Sequence, residues 1–240
     1  MTADIKAKSE MLNFETLPLD HILKSRGWMY NFLAKYFYKE PDFKALEKLM
    51  ENNLFQTLKE LGEDHEGIKI LADFIHKSPK LSDEEKLSIK RQYETLFYGP
   101  GHLPAPPWES VYRSDERIIL DEHTLAVREF YRKWGVKLSE EDKQPDDHIG
   151  LELEFISILN KRTIEALEES DIEKAKEILN GQKTFLEKHL LIWIDEFCGM
   201  LKDNVNIDLY KGMALFTPYY LKMDRHILEE LITQIDEFQK

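Results

Sequence analysis

The chain has 240 residues, of which 42% are hydrophobic and 33% charged, with few glycines and prolines, so it can bury a sizeable core in one large domain or two small ones. Thirty-three basic residues stand against 46 acidic ones, and the formal net charge of −13 excludes the basic footprint of a nucleic-acid binder. The same charge suits a soluble protein or the receptor of a basic peptide.

Helical periodicity begins at Asp20, a capping residue, and runs to Tyr38 before Pro41 closes it. A second helix is predicted from Asp42 to Leu61, with Gly62 as its stop, and a shorter third from Glu63 to His76. Ser82 followed by Glu85 makes a capping box that opens a fourth helix ending near Tyr98. A fifth is predicted over Asp115–Trp134 with Gly135 as its C-terminal signal, and a long sixth from Pro145-Asp-Asp-His148, with Asp146 or Asp147 as N-cap. Ser170 or Asp171 starts a seventh, with Gly181 as a candidate break, and Asn206 or Asp208 opens the last, where Pro218 predicts a kink or a split. Sustained alternation of the kind a half-buried strand needs is missing. The expected fold class is therefore all-α: a multi-helix bundle forming a single domain over residues 1–240, with 1–18 as a loosely ordered extension.

Cys198 excludes an internal disulfide and a cysteine-based zinc cluster, and its apolar surroundings read as those of an inert buried thiol. The first ten residues hold neither an apolar h-region nor a twin arginine, and the longest apolar run, Leu190–Ile194, is far too short to span a bilayer. The expectation is a soluble, cytoplasmic protein.

Two stretches carry the functional signal. Tyr93-Glu-Thr-Leu-Phe-Tyr-Gly-Pro-Gly-His-Leu-Pro-Ala-Pro-Pro-Trp-Glu-Ser-Val-Tyr112 runs from a helix end into a loop that keeps Phe97, Tyr98, Trp108 and Tyr112 beside Pro104, Pro106 and Pro107, through which no helix can run. Such rings either plug the core or form part of a binding surface on an ordered loop. In the second stretch, Pro145–Phe155, His148 and Glu152 lie four apart and share a helix face next to Ile149, Leu153 and Ile156. Three readings follow: a structural His–Glu hydrogen bond, a carboxylate (Asp147 or Glu152) that receives a cation, or a metal pair. Signatures of a P-loop, a Gly-x-Ser-x-Gly elbow and His-Glu-x-x-His are missing, which leaves an acid–base site at Asp147, His148 and Glu152 as the enzymatic alternative.

At these stretches the chain resembles the TorD/DmsD/NarJ family of assembly chaperones for exported molybdenum reductases. The matching residues are Tyr93, Leu96 and Phe97, then Gly99, then Pro107-Trp-x-Ser-Val111, and Pro145-Asp-Asp-His148 followed by Leu151-Glu152. Arg26–Phe37 with Glu40-Pro41, and Phe185–Phe197, are weaker echoes, and the arrangement is closer to the TorD/DmsD branch. The resemblance implies a TorD-like helical domain that binds the twin-arginine leader of a molybdoenzyme catalytic subunit and delays export until the cofactor is inserted. It implies leader binding at Tyr93, Leu96, Phe97, Pro107, Trp108, Ser110, Asp147, His148 and Glu152. It also implies no catalytic residue, metal or cofactor of the chaperone's own, a monomer or helix-swapped dimer, and contact with the cofactor-insertion machinery. A scaffold for the mature reductase subunit is the alternative within the same resemblance.

A twin-arginine leader joins two guanidinium groups to an apolar, helix-forming stretch, so its receptor needs an apolar groove with an anionic end. Leu96, Phe97 and Trp108 are the expected wall, and Asp146, Asp147 or Glu152 the expected acids. This requires Trp108 and His148, 40 positions apart, to converge in space.

Overall fold

The computed structural model describes residues 19–49, 65–99, 103–139 and 144–238. The predicted extension 1–18 and the second half of the predicted second helix lie outside the described residues. Among those described, the regular structure is helical: α1 (Leu19–Tyr38), α2 (Phe43–Leu49), α3 (Glu66–Lys77), a 3₁₀ turn (Ser78–Lys80), α4 (Asp83–Phe97), α5 (Glu109–Arg113), α6 (Glu122–Lys133), α7 (Ile149–Glu168), α8 (Ile172–Phe185), a π-turn (Leu186–Leu190), α9 (Leu191–Asn204) and α10 (Asp208–Phe238).

The apolar stripes explain the layering. α7 buries Ile149, Leu153, Ile156 and Leu159 between α1 and α8, while α10 packs against α3, α8 and α9. Side chains from all these helices merge into one contiguous core. α1 and α7 approach closely at Gly150, where a Cβ would stand 2.7 Å from Tyr38 Cβ and 3.1 Å from the Ala34 carbonyl oxygen.

The local signals act as their chemistry dictates. Ser82 accepts from the Glu85 amide at 3.2 Å while Glu85 accepts from the Ser82 amide at 2.7 Å, completing the capping box. Asp171 caps α8 by accepting from Lys174 N, and Gly135 ends α6 at φ 62°, a left-handed conformation that favours glycine.

Four expectations are corrected. The fifth helix starts later than predicted: α6 begins at Glu122 with Asp121 as N-cap, and a separate short helix, α5, forms immediately after Trp108 in the stretch read as loop. Arg117 and Leu120 between them adopt φ 51° and 68°, left-handed conformations that no right-handed helix accommodates. The N-cap of α7 is His148 rather than an aspartate, because its Nδ1 accepts the Gly150 amide at 3.0 Å. Gly181 does not break α8; the Trp134 ring lies against it, and the irregularity comes later, as the π-turn. Finally, α10 continues as one element through Pro218 rather than splitting.

Candidate functional site

The two motif stretches meet. Trp108 and His148 form an isolated antiparallel bridge, with the Glu109 amide donating to the Asp147 carbonyl at 3.0 Å and the Ile149 amide to the Pro107 carbonyl at 2.8 Å. Pro107 is well placed, since it contributes only the carbonyl that this ladder uses. The Trp108 and His148 rings stand edge to face, 6.1 Å between centroids, and Tyr38 closes on the other side of His148 at 5.2 Å.

Behind the bridge lies a sealed polar cluster. Asp147 accepts the Ser110 amide at 2.8 Å. Burial pushes its carboxyl above the usual range, against the hydrogen bonds from Ser110 and Thr124. Glu109, the first residue of α5, is fully buried and holds three partners: the Arg113 guanidinium, His189 Nδ1 at 3.1 Å and Glu152. Burial alone would raise its pKa, yet His189 and Arg113 outweigh that and hold it below the ordinary value. Glu152 moves the other way: burial, and then the charge of Glu109, push it well above the carboxylate range, so it stays protonated and donates to Glu109. The Trp193 indole donates to its other side at 3.4 Å. His148 therefore does not use Glu152 as a partner; its Nδ1 serves the helix start, and burial pushes its pKa down to about 3. The π-turn belongs to this cluster, because it carries His189 and presents the Lys188 carbonyl to Arg113 at 3.2 Å. Irregular helical turns of this kind are frequent at functional sites.

Asp147, His148 and Glu152 have 0%, 1% and 0% exposure, so they hold the bridge and loop in place from within. Tyr93, Leu96, Phe97, Pro107 and Ser110 are buried as well. Asp146 is nearer the surface, but Arg128 already occupies it at 2.7 Å. Among the described residues no group of three or more His, Cys, Asp or Glu side chains is placed to hold a metal ion, and no helix is long and apolar enough to cross a membrane. Cys198 is buried, and burial raises its thiol pKa.

A cleft of about 370 Å³ opens in front of the bridge, and another of about 400 Å³ lies away from it, between α1 and α2 around Trp28, Phe32 and Leu49. Of the predicted residues, Phe97 and Trp108 line the first; Leu103, Pro106, Val111, Ile119 and Met200 complete an apolar wall, with Tyr98, Gln144 and Arg117 at its edges. The Trp108 indole N–H is itself buried and has no acceptor among the described residues. Sequence reasoning missed Ile119, Arg117 and Met200. The one available signal was the aliphatic run Ile118-Ile119-Leu120, whose spacing reads as the start of a helix.

A model of the family described as nitrate reductase delta subunit matches residues 58–199, more than half of the chain. The chain belongs to this family. Within the TorD/DmsD/NarJ family, one relative is a protein of Haemophilus influenzae named Tat proofreading chaperone DmsD, 33% identical over 202 residues and covering 81% of this chain and 89% of that one. Another is the chaperone protein TorD of Vibrio cholerae, 23% identical over 216 residues, covering 88% and 95%. A solved redox enzyme maturation protein from Archaeoglobus fulgidus covers 82% of this chain and 93% of its own, at 19% identity and a TM-score of 0.46.

Proposed function

We propose that this chain is a redox-enzyme maturation chaperone that binds the twin-arginine leader of a molybdoenzyme catalytic subunit, seating the leader's apolar stretch in the cleft before Trp108. The observation that carries this reading is the Trp108–His148 bridge, which fixes one side of an apolar, solvent-open cleft through a fully buried polar cluster. The relatives' names agree with it, and the net charge of −13 favours encounter with a cationic peptide. Burial changes the expected division of labour. Trp108 contacts the peptide with Phe97 packed beneath it at the cleft floor, whereas Asp147, His148 and Glu152 act by keeping the wall rigid, which lowers the ordering cost of binding.

Calorimetric titration with a twin-arginine leader peptide tests this. Saturable one-to-one binding is expected, weakened roughly 30-fold or more by Trp108→Ala, as for a central aromatic anchor worth about 2 kcal/mol or more. Unchanged affinity in a folded Trp108→Ala variant removes the cleft as the site. Asp147→Ala is the poorer probe, because it strips the acceptor from the Ser110 amide and disturbs the fold. Capture of the mature reductase subunit lacking its leader would instead favour the scaffold reading.

A further inference from the structure

An ion pair borders the cleft and is not used by the leader-binding reading. Arg117 lines the cleft and donates to Glu196 Oε1 at 2.7 Å, with both side chains about half exposed. Glu196 lies one helical turn before Met200 on the same face of α9, and Met200 is itself part of the cleft wall. Arg117 is followed by Ile118, Ile119 and Leu120, which are 46%, 41% and 65% exposed, and Ile119 also lines the cleft. An arginine joined to a short aliphatic run, with the arginine on a carboxylate and an aliphatic side chain in the groove, has the chemistry of the proposed partner. The segment is strained at Arg117 and Leu120, whose positive φ angles are uncommon for residues with side chains. It is also bounded by the C-cap Ser114 and the N-cap Asp121, so it can shift while both flanking helices stay intact.

We propose that the segment 114–121 is an internal stand-in for an arginine-plus-apolar peptide, and that Glu196 is the guanidinium seat it covers. This rests on the leader-binding reading and names the acid that reading needs. A peptide arginine replaces Arg117 on Glu196, so the carboxylate is never left without a cation while the strained segment is released. The other two arginine–acid pairs near the bridge do not fit this role. Glu109 under Arg113 is fully buried and Asp146 under Arg128 is 10% exposed, so neither is open to a second guanidinium.

The test is calorimetric titration of the full chain with a synthetic peptide of two adjacent arginines followed by an apolar run, and with its di-lysine counterpart. Removing the competitor in Arg117→Ala is expected to tighten the arginine peptide about two- to five-fold, the worth of an exposed ion pair. Glu196→Gln weakens it by a similar factor, and adding Arg117→Ala to Glu196→Gln gives no gain. The lysine peptide binds more weakly throughout, because lysine cannot make the bidentate contact. If the wild type binds and Arg117→Ala binds equally or less well, or if the gain persists without Glu196, the stand-in is overturned while the leader-binding reading survives. Binding by Arg117→Ala alone supports both, and no binding by any variant overturns both.

Discussion

Arg26→Met probes the network that clamps the bundle behind the site. The guanidinium is 2% exposed and meets a fully buried Asp224 through two contacts, Nε to Oδ1 at 2.6 Å and a terminal nitrogen to Oδ2 at 2.9 Å. It also donates to Asn160 at 2.7 Å and to Gln182 at 2.9 Å, and Tyr30 donates to Asp224 at 2.6 Å. α1, α7, α8 and α10 are thereby tied at one point. Methionine fills much of the volume, so the loss is mainly electrostatic: Asp224 keeps Tyr30 and loses its cation. Breaking a buried pair by removing one partner costs about 3–5 kcal/mol, a large share of the ~5–15 kcal/mol total stability of a domain. Urea unfolding at pH 7, followed by far-UV circular dichroism, reads it directly. Adding Asp224→Asn restores part of the stability at pH 7. A loss under about 1 kcal/mol refutes the view of a paired, desolvated charge.

Glu152→Gln keeps the contacts to Trp193 and Glu109 and removes a proton equilibrium. Since the folded pKa of Glu152 is raised, its stabilising contribution is complete below the unfolded value near 4.5 and is lost as pH rises towards the folded one. The variant therefore gains on wild type in denaturation midpoints from pH 5 to pH 8, and a constant difference would mean that Glu152 is ionised in the fold. Gly150→Ala drives a methyl against the Tyr38 Cβ and the Ala34 carbonyl, and a loss of about 1–3 kcal/mol is expected from overpacking. A thermal midpoint equal to wild type would mean that α1 slides freely from α7.

The sequence carried the short-range part of this fold well. Ser82 with Glu85, Asp171 and Gly135 each act within a few residues of themselves, and each performs the expected role. The run Asp115-Glu-Arg-Ile-Ile-Leu120 misled because its apolar spacing suits a helix, while two left-handed residues prevent one. The meeting of Trp108 with His148 is a pairing across 40 positions, and motif order pointed to it where no local spacing did. What spacing could not convey was partners at a distance. Glu152 reads as partly inward from its place beside Ile149, Leu153 and Ile156, but spacing names none of the groups that close over it and Asp147: Ser110, Glu109 and Trp193 arrive from distant segments. Arg26 was hidden for the same reason, its partners lying 134 to 198 positions away.

The π-turn at Leu186–Leu190 sets the azimuth of everything that follows it. One surplus residue in a helical ladder rotates the downstream stretch by about 100°, since 3.6 residues complete a turn. Trimming a single residue there would restore a regular screw and swing Trp193, Glu196 and Met200 together off their bearings. Glu152 would lose its indole donor and the cleft its far side in the same stroke. A helical irregularity no longer than five residues thus keeps the buried acids and the open groove in phase.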